Sequence, residues 1–381
     1  MAQPVRNHPG AGFSTRGMLV KLVLLPALLV GLFVALAILA GWARFTPGDP
    51  EDALAALQRG GGGPWRAAAL VRTLAEPRNR AMRQDPRLLD RLIALLWHET
   101  ARADTTSDAV ELRSYLCLAI GQFELAGGVP VLADTARGRG DPAEVPLRVA
   151  ALEALALLAN RLGPQVLHLP PADTPSGPTS SADSAAPRAN AHSAAPSPDG
   201  EHGAPVTALA VVVDCADDRD ARVRGAAAYT LGVAGGAEAE QRLRTLLLDT
   251  VAGVRYNAAT GLARLGDPTG AAVLAEMLEV SMQHAGPTES PAFDDDQLAR
   301  NALRAAEKLG EAVLAAEGSV TAYVDDRTGV AEPAVPIEAR QGLDALHRAV
   351  GRAARRHPSP QWRTRAAAVE SRLQQAGFSA P

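Results

Sequence analysis

Hydrophobic positions along this chain recur with helical spacing in consecutive pairs of segments. Asp85-Pro86 opens a helix carrying Leu88, Leu89, Leu92, Leu95 and Leu96, and Val110 to Gly121 is its partner. Gly128–Ala136 pairs with Glu144–Asn160, Val206–Cys215 with Ala221–Val233, and Glu238–Leu248 with Ala252–Leu265. Gly270–Val280 and Asp294–Leu309 form a further pair, interrupted by Ser281–Pro291, and Glu338–Ala354 with Gln361–Ala376 closes the series. Upstream, Pro64-Trp65-Arg66-Ala67-Ala68-Ala69-Leu70 has the form of a second helix, with Pro64 suited to a first turn. Ala322-Tyr323-Val324 reads as a short strand or an extended loop.

Within the series lies a duplication. Asp218 precedes Arg224 by six positions and Asp249 precedes Arg255 by six, the copies standing 31 residues apart. Val223-Arg224 and Val254-Arg255 are each followed by a small-residue run, and Asp294 with Arg300 repeats the spacing. Leu112-Arg113, Leu147-Arg148 and Trp362-Arg363 occupy the same slot, and Gly121 follows Arg113 by eight as Gly232 follows Arg224. A fixed period near 30 is the mark of a helical solenoid. A lone pair of short helices leaves an apolar face bare, and stacking further pairs covers it. The Asp stands at a turn, where it can cap the next helix. The Arg stands one turn in, with donors able to bridge carboxylates within or between units. The pattern assigns Asp218, Arg224, Asp249, Arg255, Asp294 and Arg300 to repeat alignment; gripping an anionic ligand is the alternative.

Asp-x5-Arg-x2-Ala-Ala followed by Leu-Gly resembles HEAT repeats, of the short HEAT-like class seen in phycobilisome lyases. The resemblance is specific over 205–266, fair over 85–160 and 268–310, and weak at both ends. It implies an all-α fold, an α-α superhelix whose Val-Arg helices line the concave face, and a scaffold or protein-binding surface; it transfers no catalytic residue.

The N-terminal part departs from this pattern. Leu22 to Ala40 is an uncharged apolar run of 19 residues, long enough to cross a hydrocarbon core of ~30 Å as a helix. A transmembrane helix over 18–43 is therefore expected, with 1–17 as a cytoplasmic tail. A cleaved signal peptide, ending at a site such as Gly41-Trp42-Ala43, is the competing reading; its apolar region runs roughly 7–15 residues, shorter than this one. Arg6, Arg16 and Lys21 precede the span while Asp49, Glu51 and Asp52 follow it, which places the N-terminus in the cytoplasm and the body on the non-cytoplasmic side of a cell membrane, as a single-pass protein. The helical pairs are expected over 49–163 and 206–310, an irregular linker over 311–336 and a C-terminal helical pair over 337–377. Residues 164–205, dense in Pro, Ser and Ala, hold too little apolar surface to offset their ordering entropy and read as a disordered insertion.

Composition narrows the chemistry. Aromatic residues are 4% of the chain, so the core must come from Ala, Leu and Val. Four of the 38 basic residues precede Asp49, the first acidic one, which leaves 34 against all 42 acids, a body net charge of about −8. An acidic body disfavours nucleic-acid binding. Cys117 and Cys215 sit in apolar helical stretches and read as buried thiols, with a pairing between them left open. His98-Glu99 is similar to the His-Glu pairs of HEAT-repeat diiron hydroxylases, which use several facing pairs; Glu201-His202 is reversed. Asp214, Asp217, Asp218 and Asp220 lack the spacing and central Gly of a calcium loop, and Asp294 to Asp296 read as a helix start. Phosphate loop, nucleophile elbow and zinc-helix motifs are absent from the sequence. The resulting expectation is a membrane-anchored HEAT-repeat scaffold for protein–protein interaction, with no catalytic activity and no cofactor or metal, whose unknown protein partner meets the concave face. The alternative is a lyase-like accessory enzyme acting on a client protein, with Cys215 as the residue to test.

Overall fold

The structure, a computed structural model, describes residues 63–138, 140–169, 206–283, 295–319 and 337–375. These hold fourteen α-helices and no strand. In chain order they are α1 (Pro64–Ala75), α2 (Arg80–Arg83), α3 (Pro86–Ala101), α4 (Ser107–Ile120), α5 (Val129–Arg137), α6 (Val145–Leu162) and α7 (Ala208–Cys215). Then follow α8 (Ala221–Ala234), α9 (Ala237–Leu246), α10 (Ala252–Arg264), α11 (Ala271–Gln283), α12 (Asp295–Ser319), α13 (Ile337–Arg356) and α14 (Pro360–Gln375). The expected segment 18–43 and the possible strand at 322–324 lie outside the described residues. Among the described residues no helix is long and apolar enough to cross a membrane.

Helix boundaries follow local chemistry. Asp85 caps α3 by accepting from Arg87 N at 2.9 Å, and Asp220 caps α8 by accepting from Arg222 N at 2.8 Å. The chain leaves α6 at Gly163 (φ 96°) and α8 at Gly235 (φ 65°), left-handed conformations that carry no penalty only for glycine.

The packing has two layers. The second helix of each pair packs on the second helix of the next, in the order α1, α4, α6, α8, α10, α12, α14. First helices cover this row from one side: α3 packs on α4, α5 on α6, α7 on α5 and α8, α9 on α8 and α10, and α11 on α10, α12 and α13. Helices of the inner row are therefore covered by two neighbours and an outer layer, and keep one exposed stripe each. That is why α6 buries Val145, Leu147, Ala151, Leu152, Ala154, Leu155, Leu158 and Ala159 nearly all round. Small residues set the spacing. A Cβ on Gly232 of α8 would lie 2.5 Å from the Gly261 Cα of α10, and one on Gly121 would lie 2.8 Å from the Ala154 Cα of α6.

The core is continuous from α1 to α10 across the 170–205 segment. Thr230 of α8 donates to the Leu152 carbonyl of α6 at 3.0 Å, so the two halves of the repeat series join as neighbours. A second core runs from α10 to α14. Val254, Ala258 and Leu262 of α10 belong to the first, and Tyr256, Ala259 and Ala263 to the second.

Two boundaries differ from the sequence expectation. Pro164–His168 forms a 3₁₀ turn that buries Val166 and Leu167 against the first core, so these residues belong to the packed helical body rather than to the insertion expected from 164. The composition of the following stretch masked these two apolar residues. Helix α12 extends to Ser319, into the expected irregular linker over 311–336. Leu309, Gly310, Ala312 and Val313 prolong the apolar stripe by another turn.

Gly232→Ala should cost about 1–3 kcal/mol, because overpacking at a backbone crossing forces the helices apart. The expected readout is a lower urea midpoint with unchanged helical circular dichroism at zero denaturant; an unchanged midpoint would show that α8 and α10 are not held this close.

Candidate interaction face

Four of the repeat arginines work at the junction of two units. Arg224 donates through Nε and Nη2 to both carboxylate oxygens of Asp249 at 2.7 and 3.0 Å, in the next unit. Its Nη1 donates to the Asp218 carbonyl of its own turn at 2.9 Å. Arg255 repeats the second contact on the Asp249 carbonyl at 3.1 Å and reaches Glu276 of α11 at 2.7 Å. Arg148, buried, pairs with Asp218 at 2.7 Å and donates to the Ala136 carbonyl at 2.9 Å. Arg113, fully buried, reaches Glu144 of the next unit at 3.1 Å and the Asp104 carbonyl at 2.6 Å. Arg363 keeps the inner contact alone, to the His357 carbonyl at 2.7 Å.

The aspartates are bound from three sides. Asp218 accepts from Asp220 N at 2.8 Å and Asp249 from Val251 N at 2.8 Å, so each folds the turn just ahead of its helix. The N-cap residues themselves are Asp220 and Val251 rather than Asp218 and Asp249. The Arg224 guanidinium holds the Asp249 carboxyl below its ordinary range, and Arg224 itself is raised by the same bond.

Arg300 departs from this arrangement. Asp294 lies outside the described residues. In α12, Leu298, Ala302, Leu303 and Ala306 are buried where α10 buries Val254, Ala258, Ala259 and Leu262. That register puts the fully buried Ala299 in the slot of Arg255, with Arg300 one position beyond it. Arg300 lies over the Trp362 ring at 5.8 Å, and Trp362 Nε1 donates to Asp296 at 2.6 Å. The spacing of Asp294 to Arg300 matches the repeat, while the helical phase is shifted by one residue.

With the arginines turned into the junctions, a separate stripe remains exposed. Five residues after each slot come Leu118, Glu153, Tyr229, Thr260, Arg304 and Ala368, none of them buried. Arg264 of α10 donates to Asn160 of α6 at 3.1 Å, past the intervening α8, and lies over the Tyr229 ring at 5.9 Å. A bond between the first and third helices of a row requires the row to bend toward that side, since two interhelix steps span ~16–20 Å when straight. The stripe is thus on the inside of a local bend. Burial raises the Glu153 carboxyl above its ordinary value, and Glu153 has no hydrogen bond or ion pair among the described residues.

The other candidate residues are accounted for by packing. His98 is exposed and, among the described residues, pairs only with its neighbour Glu99, at 3.2 Å. Among the described residues no three His, Cys, Asp or Glu side chains gather in a way that could hold a metal ion. Cys117 and Cys215 are free thiols, both buried. Burial pushes Cys117 up to about 12 and raises Cys215, whose Sγ donates to the Ala136 carbonyl at 3.5 Å. A buried thiol held protonated is a poor nucleophile. Glu201-His202 lies outside the described residues.

Sequence reasoning singled out the arginine slot and passed over the stripe. Glu153, Tyr229, Arg264 and Arg304 belong to no motif. The available signal was positional: residues at one offset from each Val-Arg or Leu-Arg must share a face. Buried Arg83, which donates to the Leu74 and Glu76 carbonyls at 3.0 and 2.8 Å and pairs with Glu124 at 3.2 Å, was also missed. It lies on a short helix with no repeat counterpart.

Comparison with known proteins bears on one part of the repeat series. The family model described as HEAT repeats matches residues 208–281, α7 through most of α11. With the all-helical architecture of the described residues, that match supports a HEAT-repeat protein. No curated protein matches the chain. Among solved structures, human deoxyhypusine hydroxylase in complex with glycerol is similar at 19% identity, covering 80% of this chain and 94% of that one with a TM-score of 0.23. The likeness to HEAT repeats rests on residues 208–281.

Arg224→Ala leaves a half-buried carboxylate without its fork and should cost about 1–3 kcal/mol. The Asp249 contribution is fully present above the unfolded-state value near 3.8 and is lost as pH falls through the lowered folded value. The wild-type urea midpoint should therefore drop below pH ~4, and the drop should be smaller in Arg224→Ala; parallel pH curves would exclude the pair as a contributor. The native thiols should resist iodoacetamide at pH 8 and react on unfolding, as read by intact mass; rapid native labelling of Cys215 would contradict its burial.

Proposed function

We propose that this chain is a HEAT-repeat scaffold that binds another protein on the exposed stripe of its inner helix row, held at a cell membrane by the apolar segment over 18–43. One observation supports the binding role above others. Arg113, Arg148, Arg224 and Arg255 are engaged between units, while Glu153, Tyr229 and Arg304 are exposed at one helical offset, the first two on the inside of the local bend. Fold maintenance does not require side chains of these types there. Solenoids present such faces because each unit adds one helix to a shared surface. The membrane reading rests on the length and flanking charge of the Leu22–Ala40 run, and the N-terminus on this reading is cytoplasmic with the body opposite.

A photo-crosslinking residue placed at Tyr229 in the full chain, in native membranes, tests both parts. Crosslinks from this position should join a discrete set of proteins that a crosslinker at Leu248, 85% exposed and off the stripe, does not reach. Carbonate-washed membranes should retain the chain, and deletion of 1–45 should release it. Identical crosslinking from both positions would defeat the binding reading, and full carbonate extraction of the intact chain would defeat the anchor.

A further inference from the structure

The turn ahead of α14 is closed differently from those before it. In upstream turns between paired helices, an aspartate carboxylate accepts from the backbone N–H two residues on. Asp104 accepts from Thr106, Asp141 from Ala143, Asp218 from Asp220 and Asp249 from Val251, at 2.8–2.9 Å. Ahead of α14 the acceptor is an imidazole: His357 Nδ1 accepts from Ser359 N at 3.1 Å. Arg363, six residues on, donates to the His357 carbonyl as Arg224 does to that of Asp218. His357 therefore stands in the slot of the repeat aspartate. The partner slot has changed with it. Where Arg224 reaches Asp249 from the preceding inner helix, α12 has Ala299.

This exchange makes the turn depend on one lone pair. Pro358 and Pro360 have no N–H, so Ser359 N is the one backbone donor of 358–360. A bond from that N–H to Nδ1 requires a neutral ring with its proton on Nε2. The ring is 3% exposed, and Nε2 has no hydrogen-bond partner among the described residues. A second proton would set a donor against a donor and place a charge in a buried ring. Aspartate side chains ordinarily stay ionised between pH ~7 and ~5, the interval in which imidazole becomes charged. Of these turn acceptors, the imidazole is the one that fails there.

The surroundings do not cancel this. Burial lowers the His357 imidazole below its ordinary 6.5, against the opposing effect of Asp296 and Asp295 of α12, and Arg363 of α14 adds to the lowering. Asp296 already accepts from Trp362 Nε1 at 2.6 Å. On α13, Arg355 and Arg356 are exposed, and Arg355 is joined to Glu370 at 3.3 Å. Helix α14 is also placed to move alone. It ends the row, packing on α12 and α13 through Ala366, Val369 and Leu373, with Ala367 and Ala368 exposed.

We propose that His357 is an acid-sensitive latch: its neutral ring holds α14 against α12 and α13, and its protonation opens the turn and frees α14, uncovering the apolar end of the inner row while upstream units stay folded. Linkage sets the sign. The released ring binds protons at its ordinary value and the latched ring only below it. The stabilisation is thus fully present above pH 6.5 and is lost as pH falls through the lowered folded value. One pH unit below the ordinary value, the released ring is charged about ten to one, which favours release by up to about tenfold.

The test is amide hydrogen exchange, read by mass spectrometry on the full chain in detergent micelles at pH ~7.5 and ~5.5, with labelling times scaled for the intrinsic pH effect. Peptides covering 360–375 should exchange about threefold to tenfold faster at the lower pH, while those of α8 and α10 keep their protection. His357→Asn retains an acceptor for Ser359 N on a side chain that does not titrate, and should hold α14 equally at both pH values. H357D supplies the acceptor of the upstream turns and should behave alike; if one variant loses α14 protection already at pH ~7.5, the other carries the comparison. Equal wild-type protection of α14 at both pH values overturns the proposal. So does an acid loss that persists in the variants, or one that reaches α8 and α10 together with α14.

Discussion

The guanidinium of one unit bound to the carboxylate that shapes the next unit's turn is the interaction on which the stack depends. A helix pair can slide or rotate on its neighbour with little change in apolar contact when the contacting residues are alanines. Arg224 removes that freedom. Its fork fits both oxygens of Asp249, and its remaining nitrogen fastens on the Asp218 carbonyl, so one side chain measures the offset between two turns. Asp249 in turn can fold its own turn only in the orientation that accepts Val251 N. Partly exposed ion pairs contribute modestly to stability. Their weight here lies in selecting one register among several of similar packing energy.

Small residues make that selection necessary and possible. Gly232 against Gly261 and Gly121 against Ala154 bring backbones into near contact, which gives dense packing without aromatic bulk. It also gives smooth surfaces with few interlocking knobs. Polar cross-links such as Thr230 to Leu152 and Asn257 to Gly225 supply the missing specificity, each joining adjacent helices of the inner row.

Much of this was legible in the sequence because a repeat states its own period. The Asp218–Arg224 and Asp249–Arg255 pairs, the Leu-Arg slots at 113 and 148, and the equivalence of Gly121 and Gly232 all follow from alignment of the chain with itself. What escaped were features set by phase and by neighbours. Arg300 has the right distance from Asp294 but the wrong helical phase, because burial of Leu298 and Ala302, not spacing, decides which side faces the junction. Val166 and Leu167 were hidden by the composition around them. The stripe holding Glu153, Tyr229 and Arg304 was present as an offset, but an offset becomes a surface only once the row is known to bend, and Arg264 reaching Asn160 is a tertiary fact.

Helix α10 belongs to two cores, turning Val254, Ala258 and Leu262 one way and Tyr256, Ala259 and Ala263 the other. In an array where units interact only with neighbours, stability passes along the chain through shared elements. A helix that is common property of two clusters makes the melting of one a partial loss for the other, and Leu247, packed against both, and the Arg244–Asp267 bond add to that link. The denaturation of this protein is then a question of one bond in a chain of cooperative blocks: with α10 intact the halves unfold as one event, and with α10 weakened each half acquires a transition of its own.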